Sequence, residues 1–80
     1  MRRNIEILKD ALDLQFTDND GKYKSYISPS GKDLIVLIDS ERYRITTSPI
    51  SEKLFDIELE SSEFYPCLTI TEVFQQLECL

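Results

Sequence analysis

Histidine and tryptophan are absent from this sequence of 80 residues, and glycine and cysteine occur only twice each. The lack of histidine removes the commonest general base, the usual zinc ligand and the ordinary partner of a nucleophilic serine or cysteine. Gly21 and Gly31 stand alone, so no glycine-rich loop is available to hold a phosphate group. These absences argue against an enzyme, and we expect neither a cofactor nor a metal ion.

The sequence also lacks the segments that direct a protein to or across a membrane. Arg2 and Arg3 are followed by charged residues where a signal peptide has its apolar region, and no apolar run is long enough to span a bilayer. Cys67 and Cys79 are therefore expected to be reduced thiols in the cytoplasm. Cys67 precedes a predicted helix, where a thiol can be reactive, but a buried apolar role is the favoured interpretation.

Positive charge is scarce in the second half of the chain. The net charge is -6; residues 1–44 carry eight acidic and eight basic side chains, whereas residues 45–80 carry seven acidic side chains and one basic one, Lys53. Such a surface repels the phosphates of nucleic acids and anionic membranes, and it attracts basic proteins. We therefore expect a protein partner with a basic surface, and no direct contact with nucleic acid or membrane.

Apolar residues make up 41% of the chain, which is typical of a folded globule. At this length we expect one domain over residues 1–80, with a core near the size at which stability becomes marginal. A second copy or a partner that covers apolar surface would supplement such a core.

The first predicted element is an amphipathic helix from Ile5 to Phe16, with Asn4 as its N-cap. Its main apolar side is formed by Ile5, Leu8, Leu12 and Phe16. A further apolar group consists of Ile7, Ala11 and Leu14. It widens the apolar side of the helix beyond the roughly 100° that one packing surface requires. The helix should therefore contact two surfaces: the sheet, and either the second helix, which is favoured, or a second subunit.

The segment Asp18 to Gly21 has the short polar side chains and the glycine that are typical of a turn leaving a helix. A calcium-binding EF-hand loop is the alternative, because Asp18 and Asp20 fall at two of its ligand positions when Gly21 is aligned with its glycine. Phe16 and Ile27 then occupy two positions where that loop needs oxygen ligands, so we favour the turn.

Alternation of apolar and polar residues predicts an antiparallel meander. Its strands are Lys22 to Ser28, Leu34 to Ile38 and Arg42 to Thr47, with a tight turn over residues 28–31. The continuously apolar second strand is expected in the middle, buried on both faces. Residues 55–60 also alternate, which favours a fourth strand beside the third over a helix that begins at Ser48 and Pro49.

The remaining elements are a loop and a second helix. Ser61 to Cys67 is interpreted as a connecting loop that contains Pro66, and Thr69 and Glu72 have the spacing of a capping box that opens a helix reaching Leu80. The sequence thus predicts one small α+β domain: a helix, three or four antiparallel strands and a C-terminal helix, with both helices on one face of the sheet.

A group of acidic residues forms the candidate site: Glu52, Asp56, Glu58, Glu60 and Glu63. In a strand, alternate carboxylates repeat about every 6.6 Å, so Asp56, Glu58 and Glu60 could imitate a phosphate backbone and occupy a basic groove. Solvation of an outer sheet face is the plainer interpretation, and Arg42 and Arg44 are the cations available to neutralise the acidic strand.

Tyr26 and Tyr65, if exposed, are the expected aromatic anchors of an interface. The favoured function is a non-enzymatic protein-binding module that acts through its acidic surface. The chain shares its size and composition with small acidic inhibitors of nucleic-acid-handling proteins, such as phage-encoded antagonists of host defence, although no motif links them. The alternative is a homodimeric structural or adaptor subunit, paired through the wide apolar face of the first helix or through an edge strand.

Overall fold

A computed structural model describes residues 3–16 and 21–78 of the chain. Two helices pack against a five-stranded antiparallel sheet, in which the strands follow one another in chain order. The elements are α1 (Asn4–Gln15), β1 (Tyr23–Ile27), β2 (Leu34–Ile38), β3 (Glu41–Thr47), β4 (Phe55–Leu59), β5 (Phe64–Leu68) and α2 (Ile70–Glu78). The α+β class is confirmed, and the sheet has one strand more than the sequence predicts.

Both helices lie on one face of the sheet, which we call the inner face. The core joins Leu8 and Leu12 of α1 and Val73 of α2 to inward-facing strand residues such as Val36 and Ile57, all of them inaccessible to solvent. These side chains alternate along their strands with outward-facing ones, as the period of two in a strand requires. Burial of this apolar area is the main contribution to the stability of the fold.

The strands β1 to β4 confirm the predicted meander. β2 pairs with β1 on one side and with β3 on the other, which places the continuously apolar strand inside the sheet. In β3, Tyr43 and Ile45 are buried and Arg42 and Arg44 are exposed, as the alternation predicts. β4 pairs with β3, so residues 55–59 are a strand and not part of a helix.

The alternative helix that would begin at Ser48 and Pro49 does not form, and a turn is found there instead. The Oγ atom of Ser48 accepts a hydrogen bond from the N–H of Ile50 at 3.1 Å, and the N–H of Ser48 donates to the carbonyl of Leu54 at 2.8 Å. A serine that bonds to the backbone two residues further on favours a turn over a helix. Ser48 is also buried, so this turn closes one end of the core.

The prediction of a loop from Ser61 to Cys67 is wrong, because Phe64–Leu68 forms the edge strand β5. Proline lacks an N–H but is tolerated in an edge strand, where one side has no neighbour. The pairing shifts register here, and Cys67 has a left-handed backbone with φ of 58°. The N–H of Cys67 donates to the Oδ1 atom of Asp56 at 3.0 Å, which satisfies the backbone of the resulting β-bulge.

The two helices begin differently. The capping box is confirmed, since the N–H of Thr69 donates to the Oε1 atom of Glu72 at 2.9 Å and the N–H of Glu72 donates to the Oγ1 atom of Thr69 at 3.2 Å. The prediction of Asn4 as N-cap is wrong: Arg3 is the N-cap residue, and its side chain makes no capping hydrogen bond. The Nδ2 atom of Asn4 donates instead to the carbonyl of Glu52, which ties α1 to the loop between β3 and β4.

The wide apolar face of α1 is not covered by α2. Ile7 is 42% exposed and Leu14 is 81% exposed, so within residues 3–16 and 21–78 the expected contact between α1 and α2 does not cover this side of the helix. The helices approach each other at their C-terminal ends, where the Nε2 atom of Gln15 donates to the Oε1 atom of Glu78 at 3.0 Å. The predicted turn at residues 18–21 lies outside the described part of the chain except for Gly21, as do Cys79 and Leu80.

Candidate protein-binding face

The face of the sheet opposite the helices is covered by no other element among residues 3–16 and 21–78. Its central row crosses all five strands in register: Tyr26, Ile35, Arg44, Glu58 and Phe64. We call this row, together with Leu37, Arg42 and Glu60 beside it, the open sheet face. Four strand spacings of about 4.8 Å place its two aromatic residues roughly 19 Å apart.

The open sheet face has an apolar part that is unusual for a surface in water. Ile35 is only 3% exposed, and its partners on the neighbouring strands are Tyr26 and Arg44. Tyr26 is 45% exposed at one edge and Phe64 is 53% exposed at the other. Exposed aromatic residues beside buried aliphatic ones are common at protein interfaces.

Charges of opposite sign occupy neighbouring strands of the same face. The Nη2 atom of Arg44 on β3 lies 3.1 Å from the Oε1 atom of Glu58 on β4, and the Nη1 atom of Arg42 lies 4.0 Å from the Oε1 atom of Glu60. All four side chains are about half exposed. Ion pairs in such positions contribute about 0–1 kcal/mol to stability, so they can rearrange at low cost when a partner binds.

The predicted acidic site does not form one continuous row. Glu58 and Glu60 belong to the open sheet face, but Asp56 holds the β-bulge at Cys67. Glu63 accepts a hydrogen bond from the hydroxyl of Tyr65 at 2.9 Å, and Glu52 lies in the loop beside the start of α1. Asp56, Glu58 and Glu60 thus share one side of β4, but only Glu58 and Glu60 are next to an arginine.

The two predicted aromatic anchors are separated by the sheet. Tyr26 is on the open sheet face, whereas Tyr65 pairs with Ile57 on the inner face and packs against the core. The hydrogen bond to Glu63, and burial, raise the pKa of Tyr65. Phe64 takes the exposed place that we expected for Tyr65. The two successive aromatic residues after Ser61 and Ser62 were a signal for a strand that begins after a turn.

A second polar cluster links α1 to β1, and the sequence did not reveal it. Asp13 accepts hydrogen bonds from the Nζ atom of Lys9 at 2.6 Å, from the hydroxyl of Tyr23 at 3.0 Å and from the hydroxyl of Ser25. Burial acts to raise the pKa of Asp13, but the bonds from Lys9, Ser25 and Tyr23 together outweigh it, so the pKa is lowered. A carboxylate held by three donors is a weak base, which indicates a structural link rather than acid–base chemistry.

A groove of about 540 Å³ lies beside the start of α1. Its charged residues are Arg3, Lys32, Asp33 and Glu52. The two signs balance, and Arg3 already pairs with Glu6 at 3.1 Å, so the groove shows no preference for an ion of either charge.

Other kinds of site find less support. No group of three potential metal ligands occurs within residues 3–16 and 21–78, and no helix of that part of the chain could cross a membrane. Comparison with protein-family models, with curated proteins and with solved structures gives no match.

Proposed function

We propose that this chain is a non-enzymatic protein-binding module whose contact surface is the open sheet face. The observation that carries the proposal is the row from Tyr26 to Phe64, which leaves two aromatic side chains half exposed around the buried Ile35. Tyrosine and arginine are among the residues that most often dominate binding energy at interfaces, and both occur in this row.

The charges of the face define the kind of protein surface that fits it. Glu58 and Glu60 favour basic groups in the partner, in agreement with the net charge of -6. Arg42 and Arg44 stand immediately beside them and favour acidic groups. A partner that carries both signs fits better than the uniformly basic groove of a nucleic-acid-handling enzyme, for which both carboxylates would have to leave their arginines.

The experiment is a capture assay with the immobilised chain and a variant that carries Tyr26→Ser and Phe64→Ser. We expect the double variant to lose at least about tenfold in retention of any binding protein, since each anchor of an interface typically contributes more than 1 kcal/mol. Ile50→Ser is the matched control, because Ile50 is an exposed apolar residue in the loop between β3 and β4. Equal retention by both variants would contradict the proposal.

A homodimer formed through α1 is the second candidate. It is favoured by the exposure of Ile7 and Leu14, which lie seven residues apart on one side of the helix. Leu14→Glu should abolish a dimer of this kind and leave binding at the open sheet face unchanged. Molar mass measured by light scattering separates the two candidates.

A further inference from the structure

We infer that the open sheet face binds the same face of a second copy of this chain, so that Arg44 of each copy lies opposite Glu58 of the other. This inference rests on the proposed function and names its partner. A uniformly charged partner would be repelled by one half of the face, whereas a second copy offers both signs in the required order.

The geometry follows from the strand order and the register. A two-fold axis parallel to the strands, between β3 and β4, places β3 of one copy over β4 of the other and keeps each residue in its row. Arg44 then meets Glu58, and Arg42 meets Glu60. The same operation places β2 over β5, which brings Ile35 opposite Phe64 in the central row.

The pairing satisfies charge and apolar surface together. Each arginine keeps its own glutamate and gains that of the second copy, so the charges alternate in sign around the axis. The ring of Phe64, 53% exposed in the single chain, is then removed from water over β2 of the second copy, where Ile35 and its neighbours lie. Apolar contact of this kind supplies affinity, and the ion pairs fix the register.

The size of the face predicts a weak and reversible pair. The overlap covers the four strands β2 to β5, which at about 4.8 Å per strand and five residues of about 3.3 Å each give a projected area of roughly 300 Å². Even with the added relief of the side chains, this is below the roughly 800 Å² per partner of a standard interface. The net charge of -6 on each copy also opposes association, so the dimer should form at high protein concentration.

The experiment is sedimentation equilibrium of the full chain, from low micromolar to near-millimolar concentration, with Arg44→Glu and Glu58→Arg as single variants. We expect each variant alone to associate at least about tenfold more weakly than the unmodified chain, because like charges then face each other. An equal mixture should recover association, since the carboxylate introduced at position 44 of one variant meets the guanidinium introduced at position 58 of the other. The chain that carries both substitutions should also recover it, which excludes misfolding as the cause of the loss.

Lys53→Glu is the matched control, because it changes the net charge as much as Arg44→Glu does but lies in the exposed loop between β3 and β4. Association should be nearly unchanged in this variant. A chain that stays monomeric at every concentration overturns the inference, as does a mixture that fails to recover, or a dimer that is lost in Leu14→Glu and kept in Arg44→Glu.

Failure of the inference and failure of the proposed function give different results. If the chain is monomeric but Tyr26→Ser with Phe64→Ser loses capture of another protein, the second copy is excluded and the binding face stands. If these substitutions change neither self-association nor capture, both proposals are overturned.

Discussion

Tyr43 carries the one buried side-chain oxygen that lacks a hydrogen-bond partner within residues 3–16 and 21–78. Burial of the ring, followed by the negative charge of Glu41, raises the pKa of Tyr43 to about 12. The hydroxyl is therefore uncharged at neutral pH, and no group of the described residues replaces the hydrogen bonds to water that it loses on folding. A buried donor left unpaired typically costs about 1–3 kcal/mol.

Removal of this hydroxyl should stabilise the protein. We expect Tyr43→Phe to raise the free energy of unfolding by about 1 kcal/mol, because the ring keeps its packing while the unpaired group disappears. For a chain of this size the melting temperature should rise by about 4–8 °C. Thermal unfolding followed by circular dichroism measures the change. Tyr23→Phe is the control, since it loses a hydrogen bond to Asp13 and should destabilise; a lower melting temperature for Tyr43→Phe would refute the expectation.

The lowered pKa of Asp13 links stability to pH. A carboxyl whose pKa is lower in the folded than in the unfolded chain adds stability that is fully present above the unfolded pKa and is lost as the pH falls through the folded pKa. We expect Asp13→Asn to be less stable than the unmodified chain at pH 7, and the difference to shrink as the pH falls below the ordinary value of 3.8. Urea unfolding at a series of pH values measures it. A difference that stays constant down to pH 2, roughly two units below the ordinary pKa, would show that ionisation of Asp13 plays no part.

Among the elements, the hairpin between β2 and β3 has a turn in which Ser40 is poorly suited to its backbone conformation. Asp39 and Ser40 have positive φ angles of 50° and 73°, which is typical of a two-residue type I′ turn. Glycine adopts this region without steric cost, whereas serine is strained there. The hairpin therefore depends on the apolar strand β2 and on the buried Tyr43 and Ile45 of β3 more than on Ser40 in its turn.

Relief of this strain should stabilise the hairpin. We expect Ser40→Gly to raise the free energy of unfolding by about 1 kcal/mol, a typical value for a non-glycine residue in the left-handed region. Urea denaturation is the measurement. Ser40→Val is the opposite control, because a β-branched side chain is least compatible with positive φ, and it should destabilise. Equal stabilities for the glycine and valine variants would show that the turn is not strained.

Some elements are predicted by local sequence patterns, and others are not. β2 and α2 were predicted correctly, since a continuous apolar run and a capping box are local patterns. β5 was missed because Pro66 argues against a strand unless the strand is known to be at the edge, and the edge is defined by the whole sheet. The N-cap of α1 failed for a related reason: Asn4 finds a distant partner in the carbonyl of Glu52.

For the molecule as a whole, the α+β class and the order of β1 to β4 follow from the sequence, but the open sheet face does not. Arg42 and Arg44 were correctly expected to neutralise the acidic strand, because adjacent strands with opposite charges attract in register. The place of Phe64 depends on β5, and the link from Asp13 to Ser25 depends on how α1 packs against β1. Both are products of tertiary packing, which a single sequence does not specify residue by residue.

The edge strands limit how far copies of this chain can assemble. Pro66 has no N–H to offer to a further strand on β5, and Lys22 and Lys24 flank the opposite edge at β1. Growth of the sheet by addition of strands, the route to fibrils, is therefore opposed at both sides. The proposed pairing of two open sheet faces uses the same surface on each copy, so we expect assembly to close at two chains and a concentrated solution to stay clear.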